Sequence, residues 1–234
     1  MATGTRILLI EDNENLASGV RSALTLEGYQ VEVAGDGAAG LARARALRPA
    51  AIILDLTLPG LDGFDVLRAI RREELCPSVM ILTARASEAE KLRGFRCGAD
   101  DYVTKPFSIL ELAARLEVLV RRVPRNGEKS SALAAAVARF GNVEIQPDER
   151  AVRRGGEPVA LRPMEYELLL ALAEAKGAVL TRAQLLQMVW GMEPDIVTRT
   201  VDIHVAELRR KLEDDPAQPR HILTVRRVGY RLVP

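Results

Sequence analysis

Apolar residues in the first half of the chain fall in short runs that alternate with longer, helix-periodic stretches. "RILLI" (6–10) reads as a buried strand, and Leu16, Val20, Ala23, Leu24 and Leu26 then mark one face of a helix. The pairing recurs: "VEVA" (31–34) precedes an Ala/Arg/Leu segment of helical composition at 38–47, and "AIILD" (51–55) precedes "GFDVLRAIRRE". "VMILTA" (79–84) precedes "SEAEKLRGFRCG", and "DYVTK" (101–105) precedes "ILELAARLEVLVRR". Five strand-then-helix units in succession predict an α/β fold, a doubly wound five-stranded parallel sheet. Unbroken apolar runs such as 51–54 suit strands covered on both faces.

The pattern breaks at "RRVPRNGEKSS" (121–131), where Pro, Gly and Ser mix with charge and no apolar period survives. "ALAAAVA" (132–138) suits either a short helix or a spacer. The expected division is a first domain at 1–123, a linker at 124–138 and a second domain at 139–234. In that second domain "FGNVEIQPDERAVRRGGEPVAL" has short alternating runs between Pro-Asp and Gly-Gly turns, which predicts a small antiparallel sheet. Three helices follow: "RPMEYELLLALAEAKG", "TRAQLLQMVWG" with Thr181 as N-cap, and "TRTVDIHVAELRRKLEDD". "HILTVRRVGYRLV" closes the chain as two strands joined by a short turn.

Composition narrows the partners little. The 234 residues suffice for two ordinary domains, and 33 basic against 32 acidic side chains leave a net charge of +1. Any polyanion site must therefore be local. Cys76 and Cys97, with no CxxC or His-rich spacing, support neither a disulfide framework nor a zinc site. The start "MATGTRILLIED" is unlike a signal peptide, and no apolar run approaches the roughly 20 residues that cross a bilayer. A soluble, cytoplasmic protein is expected.

Candidate chemistry gathers at the strand ends, where doubly wound sheets hold their ligands. The first strand ends in Glu11 and Asp12, the third in Asp55, the fourth in Thr83 and the fifth in Lys105. Singly, each has a structural role open to it: Asp12 as a helix N-cap, Thr83 as a strand end, Lys105 as a solvated loop residue. Jointly, three crowded carboxylates call for an oxygen-liganded divalent cation, and Mg²⁺ suits that set. Thr83 and Lys105 could then hold an added anion, with Asp55 the nucleophile that accepts a phosphoryl group.

"LLIEDN", "IILDLTLPGLDGFDVLR", "ILTAR" and "GADDYVTKPF" closely resemble the receiver domain of bacterial two-component response regulators, over about residues 4 to 122. The resemblance implies a flavodoxin-like fold in which Asp55 takes phosphate from the phosphohistidine of a sensor histidine kinase. It implies that Asp12, Asp55 and the Thr57 carbonyl ligate Mg²⁺, with Glu11 helping through water, and that Thr83 and Lys105 contact the phosphoryl oxygens. A cis Lys105–Pro106 bond and an aromatic switch at Tyr102, turning inward as Thr83 moves, are implied as well. Thr57 departs from the methionine often found there, so the lifetime of the phosphorylated state is not implied. Thr57 also argues against a haloacid-dehalogenase-type phosphatase, which needs a second acid two residues after its nucleophile. No turnover of an external substrate is expected.

The last helix carries Val201, Val205, Leu208 and Leu212 as one apolar stripe. Opposite lie Arg199, Ile203, Ala206 and Arg210, a face with an exposed isoleucine among arginines. Residues 199–211 hold four bases and two acids, and 220–231 hold four arginines and no acid, a local footprint for phosphates. "LRPMEYELLLALAEAKGAVLTRAQLLQMVW", "TRTVDIHVAELRRKLE" and "VRRVGYRL" resemble the winged-helix DNA-binding domain of OmpR/PhoB-type regulators, over about residues 139 to 234. The resemblance implies that helix 198–213 enters the major groove, with Arg199, His204 and Arg209 on phosphates, Asp202 and Ile203 facing bases, and Arg210 on the same outer face. Thr224 and Arg226 would belong to the wing, Arg226 reaching the minor groove, while Trp190 and Tyr230 are core residues. His204 alone would instead be a half-buried structural histidine. Glu207 could accept from cytosine N4 or pair with Lys211.

OmpR/PhoB-type receivers also pair through charges on the fourth helix, fifth strand and fifth helix, and Lys91, Asp100, Asp101, Glu111 and Arg115 match that pattern. The resemblance thus implies a receiver that dimerises on phosphorylation and sets two winged helices on tandem half-sites of double-stranded DNA. The alternative is a winged helix that acts as a protein-interaction output, with a subunit of RNA polymerase as one such partner.

Overall fold

The computed structural model describes residues 4–76, 78–84, 87–121, 138–191 and 200–234. The chain divides into two compact units, Met1–Val123 and Pro124–Pro234. The expected linker and the ambiguous segment 132–138 lie, apart from Ala138, outside the described residues.

In the first unit five strands alternate with five helices: β1 (Arg6–Ile10), α1 (Glu14–Leu26), β2 (Gln30–Ala34), α2 (Gly37–Leu47), β3 (Ala51–Leu54), α3 (Gly63–Arg72), β4 (Ser78–Thr83), α4 (Glu88–Arg96), β5 (Asp101–Thr104) and α5 (Ile109–Arg121). All neighbouring strands are parallel, in the order β2-β1-β3-β4-β5. The chain order reverses at β1, so the loops after β1 and β3 diverge and leave a crevice there. Ile7–Ile10, Ala51–Leu54 and Val79–Leu82 are buried throughout, as continuous apolar strands between two helical layers must be. The loops after the strands mostly supply helix caps: Asn13, Asp36, Asp62 and Ser87 each accept a first-turn backbone N–H. Asp12 is not the cap of α1, because Asn13 is. Leu26, expected on the inward face of α1, is 89% exposed; Ala17, Val20 and Leu24 form the buried stripe.

The second unit opens with an antiparallel sheet, β6 (Ala138–Phe140), β7 (Val143–Gln146), β8 (Ala151–Arg154) and β9 (Glu157–Pro158), in sequential order. Helices α6 (Pro163–Glu174), α7 (Arg182–Trp190) and α8 (Thr200–Leu212) follow, then the hairpin β11 (Ile222–Val225) and β12 (Gly229–Leu232). A two-residue strand between α6 and α7, β10 (Leu180–Thr181), pairs with β12 and extends the expected hairpin to three strands. A Cβ on Gly229 would come 2.0 Å from the Leu180 carbonyl oxygen, so the close approach of β10 requires glycine there. Thr181 caps α7 as expected, in a reciprocal box with Gln184. Trp190 and Tyr230 are buried, together with Val201, Val205, Leu208 and Leu212 of α8.

Candidate functional site

The crevice beside β1 and β3 holds four of the residues that sequence placed at the strand ends, Glu11, Asp12, Asp55 and Lys105. Ladder bonds continue one residue past the strands and fix them there: Glu11 N–H donates to the Ala34 carbonyl, Asp55 N–H to Ile10 and Lys105 N–H to Thr83. Ligand oxygens of Glu11, Asp12 and Asp55 all lie within 4.8 Å of one another. Lys105 Nζ donates to Glu11 Oε2 at 2.7 Å and to Asp55 Oδ2 at 2.6 Å. The Thr57 backbone N–H holds the other Asp55 oxygen, Oδ1, at 2.8 Å. Thr83 ends β4 fully buried and is the register partner of Thr104.

Electrostatics follow from this crowding. Burial pushes the Glu11 carboxyl above its ordinary value, against the pull of Lys105. Burial works against the Lys105 ammonium, but Asp55 and Glu11 outweigh it and hold its pKa above the usual lysine value. Such a cluster of hard oxygen donors fits a small divalent cation. Gly63, at the start of α3, brackets the site from below. A Cβ there would sit 2.4 Å from the Leu56 Cα and 2.7 Å from the Asp55 carbonyl oxygen, so only glycine lets α3 begin against this loop. The Lys105–Pro106 bond is cis.

Tyr102 on β5 is buried, its ring 6.2 Å from Phe95 and 6.0 Å from Lys91 Nζ. The charges expected at a dimer face are largely engaged within the chain. Asp100 is wholly buried, pairs with Arg71 and accepts Val79 N–H at 2.7 Å, so it cannot serve at a surface. Arg115 is buried too. It reaches both Asp101 oxygens, at 3.1 and 3.2 Å, and Glu111 at 2.7 Å. Lys91 is half-buried, and the Glu111 side chain keeps 40% of its surface in solvent.

In the second unit several expected DNA contacts occupy other positions. Ile203, expected exposed, is 7% exposed and joins the core. His204 is buried, with Nδ1 2.9 Å from the Thr200 carbonyl oxygen and its ring edge-on to Trp190. A carbonyl only accepts, so Nδ1 carries the proton and the histidine is structural. Asp202 accepts from Arg182 and Tyr230. Arg209 donates to the Ile222 carbonyl and to Thr224, both on β11, and burial lowers its pKa from the usual arginine value. Glu207 pairs with Arg210 at 2.8 Å and stands 3.7 Å from Arg162, whereas Lys211 goes to Glu165, so of the two roles open to Glu207 the pair with Lys211 does not form. Outward, α8 presents Ala206 and Arg210, while Thr224 and Arg226 on the hairpin are exposed. Arg199 lies outside the described residues.

Sequence reading missed Arg162 and Arg182, since an arginine beside a helix start gives no signal by type or spacing. It also missed Glu213, whose carboxylate accepts the backbone N–H groups of Arg220, His221 and Ile222 and anchors the start of β11.

Residues 7–117 match the family described as "Response regulator receiver domain", and residues 156–232 match "Transcriptional regulatory protein, C terminal". The chain is 41% identical over 228 residues to "Sensory transduction protein RegX3" of Mycolicibacterium smegmatis, covering 97% of this chain and 99% of that one. It is 42% identical over 229 residues to "DNA-binding response regulator MtrA" of the same species, covering 98% and 97%. Among solved structures, response regulator DrrB, a Thermotoga maritima OmpR/PhoB homolog, is 31% identical with a TM-score of 0.51, covering 99% of this chain and all of that one. A mutant of RitR is likewise 31% identical, with a TM-score of 0.70 and coverage of 98% and 99%.

Proposed function

Because this chain belongs to the OmpR/PhoB-type two-component response regulators, with a receiver domain and a DNA-binding domain, we propose that Asp55 is its phosphoacceptor and that phosphorylation governs DNA binding. One observation carries the reading: Asp55 shares its ammonium partner, Lys105, with Glu11, inside a cluster of three carboxylates at the sheet's switch point. A carboxylate oxygen of Asp55 attacks the phosphorus of a kinase phosphohistidine. The N–P bond breaks, and the electron pair leaves with the imidazole, which takes up a proton. Lys105 neutralises the phosphoryl oxygens, and Thr83 donates its hydroxyl to one of them. Mg²⁺, held by Asp12, Asp55 and the Thr57 carbonyl with Glu11 behind, would offset charge between acceptor and phosphoryl group. The chain catalyses only its own phosphotransfer and dephosphorylation.

The rest of the reading concerns output. The domains divide at 1–123, 124–138 and 139–234. Phosphorylated receivers pair through the face that carries Lys91 and Glu111, with Tyr102 coupling the phosphate to it. Helix α8 enters the major groove through Ala206 and Arg210, Arg199 contacts phosphate, and Arg226 enters the minor groove. The partners are a sensor histidine kinase in the cytoplasm and tandem DNA half-sites. Incubation with a small phosphodonor and Mg²⁺, followed by gel shift at several salt concentrations, tests this: binding should tighten on phosphorylation and weaken steeply with salt. Salt-insensitive binding would point instead to a protein-interaction output.

A further inference from the structure

Three elements meet at Tyr230. Its hydroxyl, on β12, donates to Asp202 Oδ1 of α8. Arg182, at the start of α7, donates to the same oxygen at 2.8 Å and to the phenol oxygen at 3.3 Å. The guanidinium of Arg182 lies 4.9 Å from the Tyr230 ring centroid and that of Arg209, from α8, 5.8 Å. Arg209 also donates to the Ile222 carbonyl at 2.9 and 2.6 Å and to Thr224 Oγ1 at 2.8 Å, both on β11. Thr224 and Tyr230 are register partners, so Arg209 and Asp202 of α8 fasten the two sides of one rung. The Arg209 bonds to Ile222 add the rung that Ile222 forms with Leu232.

We infer that this clamp sets the angle between α8 and the β11–β12 wing, so that Asp202, Arg182 and Arg209 are positioning residues that act on DNA through the wing tip. The inference rests on the reading that α8 and the wing engage DNA. Three N–H bonds of Arg209 go to β11, and Arg182 and Tyr230 both donate to Asp202 Oδ1, so both side chains are tied to the wing within the domain. Arg226 and Arg227 lie just past the last paired residue of β11, Val225, so a small change in hairpin angle is magnified at the tip. Burial and Asp202 push the Tyr230 hydroxyl up to about 12, so it remains a donor at any working pH.

The test is a thermodynamic cycle on the full chain, using a duplex that the wild type enriches from random-sequence DNA. Asp202→Asn and Tyr230→Phe should each weaken binding by about fivefold to tenfold, with base preference unchanged at every position. In an Arg226→Ala background the same substitutions should cost about twofold at most, because a wing that no longer reaches the groove needs no aiming. Hydroxyl-radical protection in the minor groove at the wing site should fade while major-groove protection persists. Additive losses, or a changed base preference with Asp202→Asn, would overturn the clamp. Tyr230→Phe keeps the ring, so it carries the cycle alone if Asp202→Asn fails to fold. Should the wild type enrich no duplex, the DNA reading and the clamp fall together; enrichment followed by additive losses removes the clamp only.

Discussion

Single side chains separate chemistry from scaffolding here. Asp12 is exposed and caps no helix, so its carboxylate is free of the structural role that Asn13 fills. Asp12→Asn should lower Mg²⁺ affinity, measured by titration calorimetry, while the unfolding midpoint of the chain stays put. Glu165 is the opposite case. Burial would raise its pKa, but Arg162 and Lys211 outweigh burial and hold it below the ordinary carboxylate value of 4.5. A depressed folded-state pKa gives stability that is present above the unfolded value and lost as pH falls through the folded one. The second unit should therefore lose stability below about pH 4.5, followed by fluorescence of Trp190, the chain's sole tryptophan. Glu165→Gln should flatten that acid dependence and cost about 2 kcal/mol at neutral pH, since it takes the shared carboxylate from the half-buried Arg162 and Lys211. An unchanged acid limb in the variant would show that another carboxyl is responsible.

Elements were legible where burial sets the pattern. The five strands, their pairing helices and the site residues at their ends followed from apolar runs and terminal polar residues, because a parallel sheet tolerates polarity only at its edges. Where tertiary contact decides, the sequence was silent or misleading. Leu26 sits on the inward arc of an ideal helical wheel yet faces solvent, and Ile203 lies opposite the α8 stripe yet is buried, since more than one side of α8 is covered. Two-residue β10 has no pattern at all and exists because β12 offers an edge. The burial of Ile203 changes what its removal should do. Ile203→Ala should cost about 2–4 kcal/mol of stability in denaturant titration, and base discrimination should not relax at any position. Gly63→Ala should disturb the packing of α3 beneath Asp55 and slow phosphorylation, because the added methyl meets backbone rather than a movable side chain.

In the whole molecule, the proposed function couples a phosphoacceptor in the first unit to a DNA reader in the second. The charge pattern 91–115 looked like a ready interface in sequence, but Asp100, Asp101 and Arg115 are consumed inside the receiver. Lys91 and Glu111 keep more solvent contact, Glu111 while it also holds Arg115, and the proposed pairing would fall to them. Glu111→Lys should weaken the dimer that forms with beryllium fluoride, and adding Lys91→Glu should restore it, read by sedimentation; no recovery in the double variant would rule out that pair. All of this depends on one acceptor. The most direct measurement is the intact mass of the chain after incubation with a small phosphodonor and Mg²⁺, wild type beside Asp55→Asn. The wild type should carry a single acid-labile phosphoryl group and the variant none, because its amide matches the carboxylate in shape but is not a nucleophile; equal labelling of the two would contradict Asp55 as acceptor.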